Sequence, residues 1–206
     1  ERYLRSLPGV GYVLGPKLIE LGFQAREAFP MATLARPYLD SLAEQTGDTI
    51  HLAVRDNDEV LYLEKIPGKK GLEMRSRVGH RMPLAATGVG KALLLDTEEP
   101  QWKALYRVGA PVSSRAGGGS QTWEAFRDRM RDYAAHGYAF DLEDNEPSIR
   151  CVAAPVRDAS SGIVAAISVS STVPYMSLER MRDMVAVVQG AAAGISAELG
   201  WKVDRG

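Results

Sequence analysis

A single cysteine, Cys151, leaves no internal disulfide to form, which excludes the small secreted scaffolds that depend on such links. No apolar run approaches the ~20 residues that span a bilayer. The first residues, ERYLRSLPG, hold no apolar core of signal-peptide length. These absences fit a cytoplasmic protein with no membrane partner. An excess of either charge is missing too: 25 Lys plus Arg meet 26 Asp plus Glu, for a formal charge of −1. A dedicated nucleic-acid binder usually shows a basic balance, so this stretch by itself does not read as one. There is no repeat at a fixed period, which excludes solenoids. His51, His80 and His136 are scattered, with no pair at metal-ligand spacing, so no metal or cofactor is expected and each reads as a lone exposed or core histidine. What is present is ordinary for a globular chain: 206 residues, 45% apolar and 25% charged, enough for one substantial core or one domain plus an appendage. The chain begins with Glu rather than Met, as a piece of a longer protein would.

Local patterns divide the chain. Residues 2–14 read as a short hairpin, Arg2-Tyr3-Leu4 and Gly11–Leu14 around a Pro8-Gly9 turn. Two short strands are barely stable alone, so this piece resembles the end of another unit. Pro16 to Phe29 is helical, with Leu18, Leu21 and Ala25 on one side, and Pro30 interrupts it. A second helix runs from Met31 through Leu34, Ala35, Tyr38 and Leu42 to a stop at Gly47. A three-strand meander is expected next, at Ile50–Val54, Val60–Ile66 and Leu72–Val78. An amphipathic segment around Trp102–Tyr106 precedes residues 109–121, where Gly117-Gly118-Gly119-Ser120 is too flexible to hold a fixed shape alone. Thr122 caps a helix ending at His136-Gly137. Cys151–Arg157 and Ile163–Ser171 form two more strands, and a last helix runs from Ser177 to Gly200. A meander with segregated helices means an α+β antiparallel sheet rather than a doubly wound one.

The stretch Met82–Leu95, MPLAATGVGKALLL, is the most informative. Thr87 suits an N-cap, its hydroxyl accepting from an amide two or three residues later. Gly88 and Gly90 leave the first turn bare, so a ligand can approach the amides of Gly88 and Val89. A helix start offers unpaired N–H groups and the positive end of the peptide dipoles, and no Asp or Glu occupies this turn; it reads as a carboxylate receptor. In the strand Ile163–Ser171, alternation puts Ser168 and Ser170 on one face with Ala166, two hydroxyls about 7 Å apart. A purely structural strand favours Val or Ile there. Cys151, in the partner strand, can project onto that face, and Asp141 follows a buried strand nearby.

Each of these residues also has a plainer role. A lone cysteine is most often a small core hydrophobe, two strand serines often face solvent, and a loop carboxylate such as Asp141 is usually hydrated. Glu143, Asp144 and Glu146 read as a solvated acidic turn. Gly88-Val89-Gly90-Lys91-Ala92 fails as a phosphate loop, because Ala85 and Ala92 stand where Gly and Ser/Thr are needed. Gly9-x-Gly11 fails as a dinucleotide fingerprint for want of Gly at Leu14. A Cys151 nucleophile would need His136 or His51 as a base within reach. Pocket size depends on how Leu72, Met74, Leu84 and residues 109–121 pack.

The combination of MPLAATGVGKALLL, GYAFDLEDNEPSIRCVAAPVRD and GIVAAISVSS resembles the effector-binding domain of the IclR family of bacterial transcription regulators. Gly137, Asp141 and Cys151 reproduce the family spacing in the second segment. Asp144 stands where the family usually has Glu, and Ser148 where it usually has Gly. The resemblance implies a GAF-like (profilin-like) antiparallel sheet flanked by helices. It makes residues 1–14 a remnant of a winged helix-turn-helix wing, 15–29 a linker helix and 30–206 the effector-binding domain. It implies a small organic or aromatic carboxylate effector held by the amides of Gly88 and Val89 and the side chains of Asp141, Cys151, Ser168 and Ser170. It also implies homodimers or homotetramers that bind promoter DNA through an N-terminal winged helix-turn-helix largely outside this chain. A stand-alone GAF-like sensor, or a cysteine-dependent hydrolase, are the alternatives.

Overall fold

The computed structural model describes residues 2–28, 30–70, 74–109 and 122–202. The chain divides into two compact units, residues 1–34 and 35–206. In the first, β1 (Leu4–Leu7) and β2 (Gly11–Leu14) pair antiparallel, Leu4 opposite Leu14, around Gly9 at φ +77°. The first strand therefore lies later than Arg2–Leu4. The reason is that the carbonyls of Arg2 and Tyr3 are taken by the amides of Lys17 and Gly15, at 3.2 and 2.7 Å. Helix α1 (Pro16–Ala28) follows, with Pro16 at the first helical position, where a missing N–H costs nothing. Helix α2 (Met31–Thr46) begins in this unit and ends in the next, where Gly47 at φ +67° supplies the left-handed stop.

The second unit is built on a six-stranded antiparallel sheet in the order β5-β4-β3-β8-β7-β6. The strands are β3 (Thr49–Asp56), β4 (Glu59–Ile66), β5 (Arg81–Pro83), β6 (Ala139–Leu142), β7 (Ile149–Arg157) and β8 (Ile163–Thr172). Helices α3 (Gly88–Leu93), α4 (Glu99–Val108), α5 (Trp123–His136) and α6 (Leu178–Glu198) complete it. Fold class and most elements match the sequence expectations. Thr87, Thr122 and Ser177 each cap the helix that follows, at the amides of Gly90, Ala125 and Arg180. Residues 110–121, including the Gly117–Ser120 run, lie outside the described residues.

The third strand of the expected meander is a correction. Met74–His80 is irregular, residues 71–73 lie outside the described residues, and the edge strand is β5. The alternation of Leu72–Val78 is overridden by a turn at Gly79 (φ +83°). There the Gly79 amide donates to Tyr62 O at 2.9 Å and the Tyr62 amide donates to His80 O at 3.2 Å. That pairing uses the β4 backbone groups a third strand would need.

The two faces of the sheet differ in content. One carries Ile50, Leu52, Val152, Ile167 and Val169, all buried, and α6 lies along β7 and β8 with Met181, Val188 and Ile195 buried. Burying each such side chain contributes about 2 kcal/mol. The other face carries Ala53, Ala139, Ala153 and Ala166 at one end, packed into a core with Val89 and Leu93 of α3, Leu94 just after it, and Phe126, Met130 and Tyr133 of α5. Small strand residues let α3 come close to the sheet. A Cβ on Gly88 would already lie 3.3 Å from the Cβ of Cys151. At its other end this same face turns polar, and there the core stops.

Candidate functional site

Beside the N-terminus of α3 lies a cavity of about 430 Å³, lined by polar and apolar groups from β3, β4, β6, β7 and β8, the segment Met74–Met82 and the loop before β7. Gly88, Val89, Asp141, Cys151, Ser168 and Ser170 all line it. Sheet register explains why: Asp141 pairs with Cys151, Cys151 with Ser170, and Ser168 with both Ala153 and His51. Ser168 and Ser170 are buried, their hydroxyl oxygens 3.4 Å apart. Neither faces bulk water.

The helix start is open to the cavity. Thr87 Oγ1 accepts from the Gly90 amide at 3.0 Å, and the Lys91 amide donates to Thr87 O at 3.0 Å. The amides of Gly88 and Val89, ahead of the first intrahelical acceptor, donate to no protein atom among the described residues. Glycine at 90 is required by close approach. A Cβ there would meet Leu84 O at 2.2 Å and Thr87 Oγ1 at 2.7 Å.

The floor contains a residue the sequence reading treated as a lone histidine. His51 is buried, with Nδ1 3.4 Å from Ser170 Oγ and 3.5 Å from Ser168 Oγ, and Nε2 2.7 Å from Ser76 Oγ. Burial, with the nearby Lys65 ammonium, lowers its pKa to about 3, so it is a neutral imidazole exchanging hydrogen bonds with three hydroxyls. The signal for it in sequence was its place in the alternating strand Ile50–Val54. Only the pairing of β3 with β8 makes that place meaningful.

Asp141 is a correction of a different kind. It stands within β6 rather than after a strand, and it is fully buried. Its Oδ1 accepts from the amides of Asp144 (2.7 Å) and Asn145 (3.4 Å), and its Oδ2 lies 3.8 Å from Cys151 Sγ. Burial raises its pKa to about 6 against the pull of the Lys91 ammonium. The Cys151 thiol is pushed up by burial and by Asp141, so it stays protonated and unreactive. The described hydrogen bonds of His51 go to serines, and His136 lies exposed with its ring on Asp132 O. Neither stands as a base for Cys151.

The acidic turn is the third correction. Asp144 is buried, not solvated, because Lys91 Nζ reaches it at 2.5 Å and Arg129 Nη2 at 2.9 Å, while Lys91 also donates to Phe140 O at 3.0 Å. Burial alone would push the Asp144 carboxyl up, but the two cations hold it below the usual carboxylate range. Lys91 and Asp144 therefore tie the loop that shapes Asp141 to the helix that presents Gly88. At the mouth, exposed Arg75 faces Glu146 at 3.7 Å. Tyr62, Met74, Met82 and Ile149 supply the apolar wall. Met74 lines the cavity as expected, whereas Leu84 belongs to the core beside it, and Leu72 lies outside the described residues.

Free amides, hydroxyls and an apolar wall thus share one cavity, the mixture of groups that small-molecule sites use. Comparison with known proteins gives the family. Residues 23–197 match the model of the bacterial transcriptional regulator IclR C-terminal domain. The chain is 33% identical over 200 residues to the HTH-type transcriptional regulator XynR of Escherichia coli K12, covering 97% of this chain and 79% of that protein. The crystal structure of the Thermotoga maritima IclR superposes with a TM-score of 0.81 at 28% identity, over 97% of this chain and 81% of that one. An IclR homolog complexed with 4-hydroxybenzoate, from Microbacterium hydrocarbonoxydans, shares the fold with a TM-score of 0.80 at 24% identity, over 96% of this chain and 79% of that one. This chain belongs to the IclR family of transcription regulators and carries its effector-binding domain. No helix among the described residues is long and apolar enough to cross a membrane.

Proposed function

We propose that the cavity binds a small organic or aromatic carboxylate without turning it over, and that occupancy alters promoter binding by the regulator. The observation carrying this reading is the juxtaposition of two free amides at Gly88 and Val89 with the neutral His51–Ser168–Ser170 cluster across the same space. The amides suit a carboxylate, and the hydroxyl cluster suits a hydroxyl or carbonyl at the ligand's other end. Tyr62, Met74 and Ile149 give an apolar middle that fits a flat ring or short chain. The 4-hydroxybenzoate held by the Microbacterium homolog has this pattern of groups.

The regulator acts as a cytoplasmic homodimer or homotetramer, reaching DNA through an N-terminal winged helix-turn-helix. Residues 1–14 are its wing remnant and 15–29 its linker helix, ahead of an effector domain at 30–206. The exposure of five large apolar side chains in the first unit, Val10, Tyr12, Leu14, Ile19 and Phe23, supports an assembly role that would cover them. Linker position between the halves supports transmission through α1.

The test is thermal shift against acetate, glycolate, benzoate and 4-hydroxybenzoate, each beside its neutral amide. At a hundredfold excess over Kd a bound acid stabilises the fold by about 2.7 kcal/mol, and the amides should not. Ser170→Ala and Gly88→Pro, which remove a hydroxyl and an N–H, should each weaken the hit. Silence across the acids, or affinity unchanged in both variants, removes the assignment. A hydrolase reading would require turnover that Cys151→Ser abolishes.

A further inference from the structure

Asp141 raises a question that the carboxylate reading leaves open. The cavity receives an anion, yet its floor already holds a fully buried carboxyl group. The two sites are close, because a Cβ built on Gly88 would lie 3.6 Å from the Cβ of Asp141. An acid resting on the Gly88 amide therefore sits within a few ångströms of the Asp141 carboxyl.

Among the described residues no cation beside Asp141 is free to compensate both; Lys65, near His51, donates to Met74 O at 2.6 Å, and His80 lines the cavity from the Gly79 turn. Lys91, from α3, is the nearest, and its ammonium is engaged by Asp144 and Phe140 O. Arg129, from α5, also goes to Asp144. From β7 the Cys151 thiol faces Asp141, and from β4 the Tyr62 hydroxyl; both are held in their neutral forms by burial. From β3, His51 is neutral as well, and Arg75 at the mouth faces Glu146. Asp141 is thus surrounded by neutral donors and an already satisfied ion pair. One of its oxygens is used by two amides, and Oδ2 has only the weak Cys151 thiol.

We propose that the effector's carboxylate is taken up together with one proton, which Asp141 acquires from solvent and uses to donate a hydrogen bond to the bound acid. The inference rests on the carboxylate reading of this cavity. Two carboxylates sharing a space shielded from water do not both stay ionised; one keeps a proton and gives it to the other. Asp141 is already poised for it, since burial places its midpoint near 6 before any ligand arrives. Between that midpoint and the higher one Asp141 has in the complex, binding takes up about one proton. By linkage, affinity falls as pH rises.

Glycolate, ionised throughout the range and carrying both a carboxylate and a hydroxyl, is the probe, with the folded chain labelled for NMR. Binding is read at the Gly88 and Val89 amides, and protonation at the Asp141 side-chain carbon. Affinity should drop about tenfold from pH 7 to pH 8, and the Asp141 midpoint should move upward from about 6 when glycolate is present. In Asp141→Asn the affinity should no longer depend on pH in this range. Glycolate binding with flat affinity from pH 6 to pH 8, or with an Asp141 midpoint that stays or falls, overturns the proton coupling and leaves the carboxylate reading intact. No response at Gly88 and Val89 up to tens of millimolar removes the carboxylate reading and this inference together. The Asp141 titration in the unsubstituted protein decides the matter even if the variant fails to fold.

Discussion

Replacing Lys91 by Met tests how the ligand loop is held. Lys91 and Asp144 have side chains 1% and 4% exposed, joined at 2.5 Å. Removing one member of a buried pair typically costs about 3–5 kcal/mol, because the survivor keeps its charge without a partner. Here Arg129 still reaches Asp144 at 2.9 Å and is one-quarter exposed, so it retains part of the compensation. The expected loss is therefore at or just below the bottom of that range, about 2–3 kcal/mol, or about 1 M in urea midpoint for a chain with an m-value near 2 kcal/mol/M. Removing both charges should recover most of that loss: Lys91→Met with Asp144→Leu should lie within about 1 kcal/mol of the parent.

The pH dependence of that deficit has a definite sign. The folded pKa of Asp144 is held below its unfolded value, so the stability it contributes is present above the unfolded value, about 3.9, and is lost as pH falls through the folded one. The cost of Lys91→Met should accordingly shrink toward acid pH. Urea denaturation at pH 7 and at about pH 2.5, below the unfolded value, measures both effects. A single variant within about 0.5 kcal/mol of the parent, or a double variant less stable than the single, would refute the argument that Asp144 depends on Lys91.

Two more perturbations follow from the same geometry. His51 has a folded pKa near 3, below its unfolded value near 6.5, so the unfolded chain gains the proton first. That residue alone should cost about 3 kcal/mol of stability between pH 6.5 and pH 4, while Asp141, shifted the other way, gains stability as pH falls from 6 toward 4. His51→Gln should therefore convert the acid limb of a stability-versus-pH curve from falling to rising, and an unchanged limb would contradict the buried neutral imidazole. Ser148 holds a left-handed backbone at φ 66°, a conformation that costs a side-chain-bearing residue about 1 kcal/mol. Ser148→Gly should raise the stability of the fold by up to that amount; a loss in chemical denaturation would mean the loop gains more from the serine than its backbone costs. This position is the one where the family usually has glycine, so the departure noted in sequence has a backbone consequence here.

Local chemistry was readable before any coordinates. The cap at Thr87, the bare turn at Gly88 and Gly90, and the face shared by Ser168 and Ser170 each depend on residues within a few positions of one another. Helix caps and strand alternation act over that distance. The same reach explains the stops at Gly47 and Gly137, both at positive φ, and the placing of α5 and α6. The Leu72–Val78 alternation misled for the complementary reason. A strand needs a partner with free backbone groups, and the Gly79–His80 turn had taken those of β4 at Tyr62.

What the amino-acid order determined by itself was therefore the family, the class of sheet and the capped, side-chain-bare helix start at Gly88. Tertiary structure alone decided that β3 lies between β4 and β8, which carries His51 across more than a hundred positions of chain to the serine hydroxyls. It alone decided that Lys91 is buried against Asp144, turning an apparently hydrated acidic turn into an anchored wall of the cavity. Alternation and capping are properties of neighbouring residues, whereas strand order and the dehydration of a charge are settled only when distant segments exclude the same water.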